Sequence, residues 1–226
     1  MGEFRHISMS SAELTDDDAQ AVVDVIRSGR LALGPKTREF EQLTADYVSV
    51  RHAVAVNSGT SALHLLVRAL GIGPGDEVLV PSFTFAASVN VILFEGATPV
   101  FVDIDPETYN LDPDDLAHKV TSKTKGIMTV DIFGHPVEWD AVTAIADEHK
   151  LKVIDDACEA LGAEYKGRKV GRFGDAATFA FYPNKQITTG EGGIIVTDDD
   201  EIAMLCRSMR NQGRDEMGAW LEHVRL

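Results

Sequence analysis

Phe179-Ala-Phe-Tyr-Pro-Asn-Lys185-Gln-Ile-Thr-Thr-Gly-Glu-Gly-Gly193 runs from a short apolar stretch through one lysine into a glycine-dense turn, and a second apolar stretch, Ile194-Ile-Val196, follows. Such a lysine stands at the mouth of a sheet, on a loop whose glycines let other groups approach closely. In a partly dry site the ammonium form of a lysine is disfavoured, and a free amine can attack a carbonyl to form a Schiff base. A lysine in a hairpin loop is by default a solvated surface group. The stretch therefore needs partners elsewhere in the chain.

Two segments supply them. Val153-Ile154-Asp155-Asp156-Ala157 reads as a buried strand ending in two carboxylates. In an open parallel sheet, groups at the carboxyl ends of strands face the ligand crevice. A carboxylate there can keep a pyridine-type ring nitrogen protonated, as a pyridinium electron sink requires; the plainer reading is a helix N-cap. Ala53-Val-Ala-Val56-Asn57-Ser58-Gly59-Thr60-Ser61-Ala62-Leu63 reads as strand, Gly/Ser/Thr turn and helix. The first N–H groups of that helix lack internal partners, and with the helix dipole they form a phosphate cradle. The turn carries neither the lysine of a P-loop nor the glycine spacing of a dinucleotide site.

Around these segments, strand and helix patterns alternate. Strands are predicted at 53–56, 77–80, 98–103, 126–130, 151–154, 177–181 and 193–197, several as continuous apolar runs that mark strands buried on both faces. Helical patterns fall at 59–70, 84–94, 113–120 and 137–149, with amphipathic helices at 12–30 and 36–49 before the sheet. The alternation predicts an α/β/α sandwich around a mostly parallel, seven-stranded sheet.

Phosphate cradle, ring-nitrogen acid and Schiff-base lysine, in that chain order, are what pyridoxal phosphate needs. On these residues the chain resembles the large domain of the DegT/DnrJ/EryC1/StrS family of sugar aminotransferases. The likeness runs from Gly34-Pro35 and Phe40-Glu41 through Asn57-Ser-Gly-Thr-Ser-Ala62, Pro81-Ser-Phe-Thr-Phe-Ala86 and Gly96-Ala-Thr-Pro-Val-Phe-Val-Asp103. It continues through Asp155-Asp-Ala-Cys-Glu-Ala-Leu-Gly-Ala163 to Lys185 and Gly190-Glu-Gly-Gly193.

The resemblance implies fold type I of pyridoxal-phosphate enzymes, with one antiparallel strand at 193–197. It implies pyridoxal 5'-phosphate as cofactor, an amino-acid donor such as glutamate, and a nucleotide-linked keto sugar as acceptor. Lys185 matches the lysine that holds the cofactor covalently, and Asp156 matches the partner of its ring nitrogen. Gly59, Thr60 and Ser61 match the phosphate turn, Phe85 the aromatic that stacks on the ring, and Glu159 a position near the phenolic side where relatives often carry Gln or His. The retained Lys185 points to transamination, since related dehydratases carry histidine there. Ala180 stands where many relatives place a phosphate-binding serine. Other fold-type-I chemistry, such as a lyase, and a cofactor-binding scaffold without turnover are the alternatives.

The resemblance also implies a homodimer with the cofactor near the interface. It predicts that residues 1–226 form one cofactor-binding large domain with N-terminal helices (1–50), that the small C-terminal domain of relatives is absent, and that the chain stops at His223-Val-Arg-Leu226 just before a segment whose asparagine reaches the partner's cofactor.

Composition fits that reading. A chain of 226 residues with 44% hydrophobic content can bury a substantial core. Its net charge of −15, from 36 acidic and 21 basic residues, argues against nucleic acid or an anionic membrane as partner. An anionic sugar nucleotide then needs local basic groups that override this field. Cys158 and Cys206 are isolated and without metal-ligand spacing, which predicts free thiols in a reducing cytoplasm and no metal. His6 stands where a myristoylation start needs Ser or Thr after Met1-Gly2. His64 reads as a packed or surface residue and His135 as part of a post-strand loop.

Overall fold

The computed structural model describes residues 8 and 10–214. Met1-Gly2, His6 and His223-Val-Arg-Leu226 lie outside the described residues. Two helices lead, α1 (Asp16–Ser28) and α2 (Pro35–Val48), followed by β1 (His52–Val56), α3 (Gly59–Ala69), β2 (Glu77–Pro81), α4 (Ala86–Phe94) and β3 (Thr98–Val102). Next come α5 (Pro113–Lys119), β4 (Thr124–Val130), α6 (Trp139–His149) and β5 (Lys152–Asp156). A small antiparallel hairpin, β6 (Glu164–Tyr165) and β7 (Arg168–Lys169), precedes β8 (Ala176–Ala180), β9 (Gly193–Thr197) and α7 (Asp200–Arg210).

The main sheet has the order β1-β9-β8-β5-β4-β2-β3. Its strands run parallel except β9, which is antiparallel to both β1 and β8. The antiparallel strand is the one expected at 193–197. Its five residues Gly-Ile-Ile-Val-Thr are all buried, so no face could alternate with polar residues, and the continuous apolar run follows.

One face of the sheet packs under α3, α4 and α7, where Leu63, Leu66, Val91, Ile92, Ile202 and Cys206 meet Val54, Met128, Ile154 and Ile195. Each buried leucine there contributes about 2 kcal/mol relative to exposure. The other face packs under α2 around Phe179 and Phe181, and under α5 and α6 around Trp139 and Leu116. By contrast α1 buries none of its residues; Thr15 and Asp18 form a capping box at its start, and Gly29 at φ +68° closes it.

Two elements go beyond the sequence reading. The hairpin β6–β7 has strands of two residues, too short to leave a period. α7 did leave one: Asp199 caps it by accepting from the N–H groups of Glu201 and Ile202, at 2.8 and 3.0 Å. Its Ile202, Ala203 and Cys206 fall on one buried face.

Candidate functional site

The carboxyl edge of the parallel strands gathers the chemistry. β1 ends at Val56 and turns through Ser58 into α3. Ser58 is the N-cap: its hydroxyl oxygen accepts from the Ser61 N–H at 3.0 Å and its O–H donates to the Ser61 hydroxyl at 3.0 Å. Two glycines let this turn exist. A Cβ on Gly59 would lie 2.9 Å from both Cys158 Sγ and Ala180 Cβ, and one on Gly193 would lie 2.4 Å from the Ser58 carbonyl. β9 therefore begins in direct backbone contact with the cradle, and only glycine fits.

At the end of β5, Asp156 is 7% exposed. Its Oδ2 accepts from the Ser88 hydroxyl at 2.6 Å and its Oδ1 from the Cys158 N–H at 3.3 Å. Ser88 lies in the first turn of α4, fully buried, and its oxygen is 2.9 Å from the Thr84 hydroxyl. Two further carboxylates back this one. Asp155 is fully buried, with one oxygen accepting from Thr129 at 3.0 Å and the other without a hydrogen-bond partner. Asp131 accepts from the Val137 N–H at 2.9 Å, and its second oxygen is likewise unpartnered. Burial first, then the charge of Asp156, pushes the Asp131 carboxyl up to about 7. Burial, then Asp131, pushes Asp155 well above the usual carboxylate range. Burial likewise pushes the Cys158 thiol up and holds it unreactive.

Lys185 follows β8 on a loop closed by its own N–H to the Tyr182 carbonyl, 2.9 Å. Its side chain is 16% exposed, and Nζ donates to Glu159 Oε1 at 3.1 Å. The other carboxylate oxygen of Glu159 accepts from the Phe133 N–H at 3.0 Å, and its backbone carbonyl accepts from Gln186. Phe133 is held at φ +55°, a conformation rare for a bulky residue. Glu159 thus ties two loops together and fixes the amine between them.

Ser58, Gly59, Thr60, Phe85, Asp156, Glu159, Ala180 and Lys185 all line one cleft of about 500 Å³. The structure thereby brings together every sequence-predicted site residue except Ser61, which is turned into the cap of α3 and does not line the cleft. Phe85 occupies the N-cap position of α4 and is 77% exposed, so it is no core aromatic. His64 lies outside the cleft, 2.7 Å from Glu95. The His135 carbonyl accepts from Asn110 at 2.9 Å. Ser88 and Asp131 are contributions that sequence reasoning missed. Ser88 stands two residues past the quoted Pro81–Ala86 segment, and nothing in one sequence marks a buried serine as a carboxylate partner.

Chemically, the cleft offers an anion cradle at a helix N-terminus, a buried carboxylate held by a hydroxyl, and an amine. A sequence model of the DegT/DnrJ/EryC1/StrS aminotransferase family matches residues 12–224. GDP-perosamine synthase of Caulobacter vibrioides is 47% identical over 95% of this chain and 58% of its own length. A dTDP-3-amino-3,4,6-trideoxy-alpha-D-glucose transaminase of Streptomyces venezuelae is 42% identical over 93% of this chain and 56% of its own. The solved aminotransferase from Psychrobacter cryohalolentis superposes with a TM-score of 0.90 at 37% identity, over 96% of this chain and 56% of that one. The chain thus spans little more than half the length of the curated relatives it matches.

Proposed function

The chain belongs to the DegT/DnrJ/EryC1/StrS aminotransferase family, and from that premise we propose a pyridoxal-phosphate-dependent transfer of an amino group from glutamate to a nucleotide-linked keto sugar. The observation that carries the proposal is the convergence of the Gly59 turn, Asp156 and the Lys185 amine on one cleft. Aminotransferases of this family use pyridoxal phosphate. The cleft fits it on this chain's own terms: a glycine turn that a Cβ would fill, and a nearly buried carboxylate facing the cleft with no cation among its hydrogen-bond partners.

When bound, pyridoxal phosphate supplies an electron sink for charge developing at the carbon beside the amine. Gly59 and Thr60 would hold its phosphate with the α3 dipole. Asp156, oriented by Ser88, would hold a proton on the ring nitrogen. The exposed face of Phe85 would fix the plane of the ring. Lys185 Nζ would anchor the group and, once released, take a proton from the substrate carbon and return it as general base and acid. Glu159 positions that nitrogen.

The relatives' names support the substrate class, being a GDP-sugar and a dTDP-sugar enzyme. A homodimer is part of the proposal. Its support is the exposed aromatic group beside the cleft, where Phe83, Tyr109 and Phe133 lie 5.9 to 6.4 Å apart, centroid to centroid. A cytoplasmic setting is supported by the two free cysteines; no described helix is long and apolar enough to cross a membrane. The test is glutamate-dependent amination of a panel of GDP-, dTDP- and UDP-linked keto sugars. Formation of 2-oxoglutarate together with an aminated sugar is expected. Glutamate consumption without any aminated sugar across the panel would reject the substrate class.

A further inference from the structure

Asp131, Asp155 and Asp156 stand together at the carboxyl ends of β4 and β5, and among the described residues no cation is hydrogen-bonded to any of them. They do not share one face of the sheet. Ile154 packs in the core under α3, α4 and α7, whereas Val153 packs in the core under α5 and α6. Side chains alternate along a strand, so Asp156 faces the cleft with Ile154 and Asp155 faces away from it with Val153. Asp131 joins Asp155 on the far side, where its carboxylate accepts from the N–H of Val137, a residue of that same core. Its own N–H donates to the Asp156 carbonyl at 3.2 Å and extends the β4–β5 pairing by one rung.

Each far-side acid keeps one buried oxygen without a hydrogen-bond partner. A buried charge with an unpartnered oxygen is costly, so such a group tends to keep a proton. Asp155 holds its proton the more firmly. Asp131 stands near balance, with its carboxyl raised to about 7 by burial and then by the charge of Asp156. The other titratable groups on the elements packed around it are Cys158 and Glu159 after β5, Lys185 after β8, His135 and Glu138 on its own loop, Tyr109 before α5, and Asp140 on α6. Lys185 pairs with Glu159, and Lys166 with Asp140, so neither lysine neutralises the three acids.

We propose that Asp131 is a positioning residue that sets the charge behind Asp156: when a cationic ring nitrogen pairs with Asp156 from the cleft, Asp131 releases its proton to solvent, and the added negative charge holds the ring-nitrogen proton in place. The inference rests on pyridoxal phosphate being the group bound. Pairing removes the charge that held the Asp131 proton, so cofactor binding and loss of that proton favour each other. The gain in affinity is absent in acid and complete once pH exceeds about 7. A midpoint lowered by one unit on loading corresponds to about tenfold tighter binding.

Fluorescence titration of the cofactor-free protein with pyridoxal phosphate, from about pH 5.5 to about 8.5, compares the wild type with Asp131→Asn. The ratio of dissociation constants, variant over wild type, cancels the ionisations of the cofactor itself. It is expected to rise about threefold or more across that range. A purely structural role changes affinity by one factor at every pH, so a smaller rise overturns the proposal. Difference infrared spectra of the wild type near neutral pH, loaded minus free, read the same proton without a variant. Loss of a protonated-carboxyl band is expected, and its absence overturns the proposal even where Asp131→Asn does not fold. A wild type that binds no pyridoxal phosphate at any pH rejects the proposed function and this inference together. Binding without the rise in ratio rejects the inference alone.

Discussion

Ser88 donates its hydroxyl to Asp156 across 2.6 Å, so the first turn of α4 fixes a carboxylate that β5 carries. Replacing Ser88 with alanine leaves a nearly buried carboxylate oxygen without that partner, at a cost of about 1–3 kcal/mol. Ser88→Ala is therefore expected to lower the melting temperature and to speed cofactor loss, measured by dialysis against absorbance. Unchanged retention and unchanged melting would show that the contact positions nothing.

The buried carboxylates set a pH dependence of stability. Asp131 has its carboxyl raised to about 7 in the folded chain, against an ordinary value of 3.8. Between those values the folded state keeps a proton that the unfolded state has released. The stability this group contributes is full below about pH 4 and is lost progressively as pH rises to about 7. Each unit of that window is worth about 1.4 kcal/mol at most. Asp131→Asn keeps an oxygen for the Val137 N–H and removes the charge. Denaturant titrations of the cofactor-free protein are expected to show the variant gaining on the wild type from pH 4 to 7. A difference independent of pH would contradict the assignment.

Gly193 marks where β9 meets the cradle. A Cβ there would stand 2.4 Å from the Ser58 carbonyl and 2.7 Å from the Gly59 nitrogen, both backbone atoms. At Gly59 the clashing atoms are side chains, Cys158 Sγ and Ala180 Cβ at 2.9 Å. Gly193→Ala is accordingly expected to destabilise more than Gly59→Ala, by about 3 kcal/mol or more against about 1–3 kcal/mol. Chemical denaturation ranks the two, and the reverse order would be inconsistent with this packing.

Ala180 ends β8 beside the Gly59 turn and lines the cleft. Ala180→Ser places a hydroxyl there. A single added hydrogen bond to a charged phosphate is worth about 1.5–3 kcal/mol, which corresponds to roughly tenfold or more in the dissociation constant. Fluorescence titration with pyridoxal phosphate measures it. Weaker or equal binding by the serine variant would place the phosphate elsewhere.

The sheet was legible because several of its strands are buried on both faces: Val78-Leu-Val80 and Ile194-Ile-Val196 have no polar interruption to misplace them. The turn at Ser58-Gly59-Thr60 was legible because cap chemistry is local. What escaped was made by distance in sequence. Ser88 meets Asp156 across 68 positions and Glu41 meets Ala55 through a fold that also brings in Arg210. Asp131, one residue beyond β4, comes to act on Asp155 only through the pairing of β4 with β5. Ser61 stands outside the lining of the cleft, since its N–H donates to the Ser58 hydroxyl and its own hydroxyl oxygen accepts from Ser58.

The central claim is that Lys185 Nζ, held at 3.1 Å from Glu159, is the nitrogen that anchors pyridoxal phosphate. Borohydride reduction of the cofactor-loaded protein, followed by peptide mass spectrometry, tests it directly. The account predicts a pyridoxyl mass increment on the peptide carrying Lys185, and none in Lys185→Ala protein whose melting temperature matches the wild type. A stable increment on any other lysine, or one that survives in Lys185→Ala, would contradict it.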